Sequence, residues 1–159
     1  MRREPRSPQP GPPDAPFAPG DLRFTATRGL SPSAWARADQ LVAANRAEFP
    51  GGADFWADHF RADAPPSHAF AAQDVAGEVL GVVGWCGERD LVRPVWWSFA
   101  KGRGVGSFSV RELVAAMRAH GVRSRGDVQL APTGHEVASA KLAAKFAEWC
   151  AEAGIPRGD

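Results

Sequence analysis

The residues with the clearest capacity for chemistry are Lys101-Gly102-Arg103-Gly104-Val105-Gly106-Ser107, the stretch KGRGVGS. Three glycines at alternate positions let backbone N–H groups come close to a ligand, because no Cβ stands in the way. An aromatic, strand-like run precedes the stretch and an amphipathic, helix-like run follows it. A helix start carries roughly half a positive charge, and Lys101 and Arg103 add whole ones. Such a junction suits a phosphate group; it also suits a plain strand-to-helix corner with two solvated cations. Two phosphate-binding patterns are excluded. The P-loop pattern GxxxxGK[ST] is absent. The dinucleotide pattern GxGxxG fails because its third glycine position is Ser107, and three strands precede the turn where that fold places it near the start of its domain.

The rest of the chain must position that turn. Its 159 residues fit one domain, and 44% hydrophobic with 23% charged content is that of a soluble globular protein. Half of the 14 prolines fall in residues 1–19, which predicts a disordered Pro-rich tail over 1–20 and a folded domain over 21–159. No apolar run reaches the roughly 18 residues of a membrane span. The opening MRREPRSPQP lacks the apolar region of a secretory signal. Cys86 and Cys150 form neither a CxxC pair nor a disulfide framework, which fits small buried residues in a reducing, cytoplasmic compartment. A net charge of +1 speaks against a nucleic-acid partner. Lys101, Arg103, Arg111, Arg118, Arg123 and Arg125 come without a base-stacking motif. A membrane partner is not expected either.

Leu22 to Thr27 alternates apolar and polar residues and predicts a first strand. Ser31-Pro32-Ser33 supplies a helix cap with proline in the first turn, and the helix should run to about Glu48, where Pro50-Gly51-Gly52 ends it. A second short helix is expected over Ala53–Ala62. Ala69–Gln73, Glu78–Cys86 and Leu91–Phe99 read as three strands of an antiparallel meander. Pro94 should make the third bulged, bent or an edge. Val110, Leu113, Val114 and Met117 fall at i, i+3, i+4 and i+7 and predict the strongest helix, stopped by Gly121. A strand at Asp127–Ala131 and a helix from about Glu136 to Glu152, with Val137, Leu142, Phe146 and Trp149 on its apolar side, complete the order. The fold class is α/β, an α+β sandwich with a mixed central sheet in which the strands flanking the long helix lie parallel.

The stretch from Lys101 to Gly121, KGRGVGSFSVRELVAAMRAHG, resembles the coenzyme-A-binding core of the GCN5-related N-acetyltransferases. Their signature is Arg or Gln, two residues, Gly, any residue, then Gly or Ala; here the slot reads Lys101-Gly102-Arg103-Gly104-Val105-Gly106, with Lys101 as the departure. The order of elements from about Leu22 to Gly154 also resembles that family's, with Phe70–Val83 similar to its second and third strands and Val137–Ala143 to its last core helix. The resemblance implies acetyl-CoA as co-substrate. The pantetheine arm would lie along Trp96, Trp97 and Ser98, and the pyrophosphate on N–H groups from Arg103 to Ser107. It further implies acetyl transfer to a primary amine, on a small molecule or a peptide.

The catalytic residues depart further from that pattern. The family often protonates the leaving thiolate from a tyrosine on its last core helix, and this chain contains no tyrosine. Phe146 best matches the position. His135 and Glu136 stand where an Asn is usual, and His135 could serve as the acid because its ordinary pKa suits proton transfer near neutrality. It could equally be a surface histidine. Ser139 is a candidate for the cofactor sulfur, or else a local backbone partner in the first helical turn. Glu88 and Asp90 lie in the turn where many relatives place a glutamate acting through water, although turn acids also serve turn geometry. Of Trp96 and Trp97, one ring should enter each face of the sheet. His59 and His68 have no partner at metal-ligand spacing, so no metal is expected. The family usually continues with two further strands that wall the acceptor site. Their absence leaves that site open or leaves an edge for a homodimer. The expected function is N-acetyltransferase, with a catalytically weak or inactive acyl-CoA-binding module of the same fold as the alternative.

Overall fold

The computed structural model describes residues 17–46, 56–57, 68–99, 104–126 and 136–158. The expected tail before residue 17, most of the second short helix and the strand at 127–131 lie outside the described residues.

Strand β1 (Arg23–Ala26) is followed by helix α1 (Pro32–Ala44), then by β2 (His68–Gln73), β3 (Val79–Cys86), β4 (Arg93–Ser98), α2 (Val105–Ala119) and α3 (Glu136–Glu152). The four strands form one sheet in the order β1-β2-β3-β4, and every neighbouring pair is antiparallel. Parallel pairing enters through two bridges, Val92 with Arg125 and Arg125 with Arg157. The first pair flanks α2 along the chain and the second flanks α3, so each helix crosses between parallel segments. Pro94 lies opposite Trp85 in the last strand of the described sheet without a register shift. The one irregularity falls instead between Ala72 and Gln73 of β2.

Local chemistry sets the ends of the helices. Ser31 caps α1, its Oγ accepting from the Ala34 N–H at 3.2 Å. That helix stops at Ala44, short of the predicted Glu48. The Asn45 side chain there donates to the Leu41 carbonyl at 2.8 Å and takes up a helix-end acceptor. Both α2 and α3 close with the same paired bonds. Val122 N–H donates to Met117 and Gly121 N–H to Arg118; Ile155 N–H donates to Cys150 and Gly154 N–H to Ala151. Val122 and Ile155, the residues just past each end, are buried, which completes the motif.

The sheet has two covered faces. Ala69, Ala71, Val79, Val82 and Trp97 pack against Ala34, Ala38 and Val42 of α1. On the other face Val83 and Trp85 pack against Val110, Leu113, Val114 and Met117 of α2 and Phe146 and Cys150 of α3. The predicted apolar stripe of α2 is therefore buried in full. The alternation of Trp96 and Trp97 holds too: Trp97 joins the α1 side, and Trp96 packs 5.3 Å from the Phe146 ring. No helix among the described residues is long and apolar enough to cross a membrane.

Candidate functional site

The glycine turn begins where β4 ends. Phe99 N–H still donates to the Leu80 carbonyl at 2.8 Å, so the ladder to β3 extends one residue past Ser98. Lys101, Gly102 and Arg103 lie outside the described residues. Gly104 is the N-cap of α2 and turns the chain with φ +83°. That left-handed geometry favours glycine, and glycine brings no side chain to cap the helix. The first helical bond runs from Phe108 N–H to the Gly104 carbonyl at 3.1 Å. The N–H groups of Val105, Gly106 and Ser107 consequently have no acceptor among the described residues, as expected of a first turn without a capping side chain.

These three amides are not equally presented. Val105 is completely buried, packed with Ala72 and Leu80, and anchors the helix start to the sheet. Gly106 and Ser107 are half-buried, and Gly104 is exposed. Val105 thus holds the helix start in place, with Gly106 and Ser107 beside it at partly open positions. Gly106 has a second duty. A Cβ there would come 3.0 Å from Leu142 Cδ2, so its small size allows the first turn of α2 to pack closely against α3.

The turn between β3 and β4 carries the two acids singled out in the sequence. Glu88 and Asp90 are both exposed. Asp90 Oδ1 accepts from Arg123 Nη1 at 3.0 Å, and Ser124 Oγ donates to the Asp90 carbonyl. Arg123 N–H donates to the Arg89 carbonyl at 2.7 Å. These contacts stitch the turn to the segment that follows α2. The six residues of β4, about 20 Å of strand, separate the turn from Gly104. Glu88 and Asp90 are thus not brought together with the glycine turn. His135 lies outside the described residues, as does the side chain of Ser139.

Trp97 is buried, its ring 5.6 Å from that of Phe99, while Ser98 is half-buried opposite Gly81. Phe146 is buried between Trp96 and Arg125. This is dry core, and the phenyl ring has no proton to give. Cys150 is buried as well, and burial pushes its thiol up to about 11 against the opposing pull of the Arg125 charge and hydrogen bond. It is an unreactive thiol at neutral pH.

Two features escaped the sequence reading. Arg125 is a core residue, packed over Phe146 and bonded to Cys150. His68 and His120 meet over Trp85. Neither has a local sequence signal, because both depend on residues far apart along the chain.

No protein-family model matches the chain. No curated protein sequence matches it either. Among solved structures, it is similar to a crystal structure described as a "putative acetyltransferase" from Deinococcus radiodurans R1. The two are 13% identical, the likeness covers 80% of this chain and 85% of that one, and the TM-score is 0.44. Nothing about the activity of this chain follows from so distant a likeness.

Proposed function

We propose that this chain is an N-acetyltransferase that moves an acetyl group from acetyl-CoA to a primary amine. The observation that carries the reading is the start of α2: a left-handed Gly104 as its N-cap, followed by half-buried Gly106 and Ser107 whose amides have no acceptor among the described residues. Backbone N–H groups at a helix start form an anion site with fixed geometry, and a diphosphate is the anion that suits several of them at once. Lys101 and Arg103 add charge within the same stretch.

The acyl arm then runs back along β4, past Ser98 and Trp97. The neutral amine attacks the thioester carbonyl, the C–N bond forms, the C–S bond breaks, the attacking nitrogen gives up one proton to solvent, and the thiolate takes one up. Holding the two reactants in one geometry supplies much of the acceleration. His135 is the residue we assign to protonating the thiolate. We give Glu88 and Asp90 no step: both are exposed, and Asp90 is engaged by Arg123.

Calorimetry with acetyl-CoA, followed by thiol release with a panel of amines, tests this. Gly104→Glu should abolish binding, since it sets a side chain and a negative charge where the diphosphate approaches. A folded Gly104→Glu variant that binds acetyl-CoA normally overturns the pose. A second reading, a module that binds acyl-CoA without turnover, is favoured by the buried Phe146 and by the lack of any tyrosine. Binding without thiol release on any amine would select it.

A further inference from the structure

Gly104 brings no capping side chain to α2, so packing rather than a cap bond holds the first turn of that helix. Val105 supplies the packing, completely buried against Ala72 and Leu80. Leu80 also holds the other end of the glycine turn, its carbonyl accepting from Phe99 N–H at 2.8 Å. Phe99 and Val105, on either side of that turn, are thus fastened to one residue of β3. Half-buried Phe17, Leu22 and Phe24 roof this cluster. Phe24 belongs to β1 and pairs opposite Ala72. Phe17 and Leu22 come from the segment ahead of β1, which is folded on itself. Asp21 Oδ2 accepts from Ala18 N–H at 2.8 Å, and Asp21 N–H donates to the Ala18 carbonyl at 2.9 Å. These two bonds close a single 3-10 turn, Pro19–Asp21, and the residues flanking it reach the same cluster.

We propose that Phe17–Leu22 is a strap that keeps the acyl-CoA-binding turn in its binding geometry, with Phe17 and Leu22 as positioning residues. This rests on the acyl-CoA reading above. Several backbone N–H groups hold a diphosphate well only where their spacing is already fixed, because ordering a loose turn on binding costs affinity. Seated, Phe17 and Leu22 keep water from Val105 and Leu80 and keep the first turn of α2 closed. Unseated, they leave both apolar side chains at the surface, and the turn opens locally. Seating of the strap and binding of the coenzyme therefore favour the same state, so each strengthens the other by the same factor. The strap acts through Val105, so it sets the affinity for acetyl-CoA and not the rate of transfer at saturation.

The test compares wild type, Phe17→Ala, Phe17→Leu and Leu22→Ala in the full chain, each checked for folding by circular dichroism. Calorimetry with acetyl-CoA should give a dissociation constant at least about fivefold higher for both alanine variants, and Phe17→Leu should restore most of the affinity. Val75→Ala, an exposed change in the turn between β2 and β3, should bind as wild type does. Without ligand, exchange of the Phe108 amide, whose bond to the Gly104 carbonyl closes the first turn, should be faster in the alanine variants. In wild type, saturating acetyl-CoA should slow exchange of the Asp21 amide. That last measurement needs no variant, and unchanged exchange there overturns the coupling even if both alanine variants fail to fold. Unchanged Phe108 exchange in the folded variants overturns the strap whatever the coenzyme does. Faster exchange with unchanged affinity overturns it too, since the segment then steadies the fold without serving the site. If wild type binds no acetyl-CoA, the proposed function falls and the coupling with it.

Discussion

The Arg125 guanidinium lies 5.0 Å from the centre of the Phe146 ring, and both residues are buried. Arg125 is also the middle row of the two parallel bridges, and its backbone exchanges bonds with the last segment of the chain: its N–H donates to Pro156, and Gly158 N–H donates back to its carbonyl. The side chain therefore joins α3 to the place where three segments of the chain meet. Its planar group packs as an aromatic surface would, while its charge is turned toward the Cys150 thiol.

Arg125→Ala is expected to destabilise the fold by about 2 kcal/mol, through lost packing over Phe146 and lost contact with Cys150. Arg125→Lys should fall between, because it keeps the charge but not the planar stack. Urea unfolding of the three proteins checks the order. Equal stability of wild type and Arg125→Ala would contradict it.

The Cys150 thiol has a folded-state pKa raised from 9.0 to about 11, mainly by burial. The neutral form is the one the fold prefers. Its contribution is fully present below about pH 9 and is lost as pH rises through about 11. Wild type should lose about 2 kcal/mol more than Cys150→Ala between pH 8.5 and pH 11, read as the difference between their denaturation midpoints. Iodoacetamide should leave native Cys150 unmodified at pH 8 and label it in urea.

Asp90 and Arg123 form an exposed pair, so Asp90→Asn should cost less than about 1 kcal/mol. If amine acetylation is observed, Asp90→Asn should leave its rate unchanged. A rate drop of tenfold or more, at unchanged stability, would return Asp90 to the chemistry.

These expectations mark how far the sequence could be read. The core face of α2 was legible because Val110, Leu113, Val114 and Met117 repeat with the helix period, and the meander was legible because its turns are short and carry Asp and Gly. The end of α1 was missed because one side chain, Asn45, takes a backbone acceptor that periodicity does not see. Val105 reads as one more loop residue beside the glycines, yet it is the anchor of α2; only the nearness of Ala72 and Leu80 reveals that. The burial of Arg125 required Phe146, from a later helix, to arrive beneath it. What was illegible is what long-range packing decides.

Gly106 separates the two duties of the glycine turn. Its missing Cβ gives room to Leu142 Cδ2 at 3.0 Å, and its N–H, with no acceptor among the described residues, belongs to the proposed anion site. Gly106→Ala keeps the N–H and adds one carbon against the far end of a side chain that is itself half-buried and able to shift. Alanine also favours a helix interior over glycine by up to about 1 kcal/mol. The variant should therefore unfold within about 1 kcal/mol of wild type and bind acetyl-CoA as wild type does. Gly106→Val pushes α2 off α3 and should cost about 1–3 kcal/mol. Thermal unfolding reads the packing and calorimetry reads the ligand. If Gly106→Ala folds like wild type but loses acetyl-CoA, the glycine is there for the ligand's approach rather than for the contact between helices.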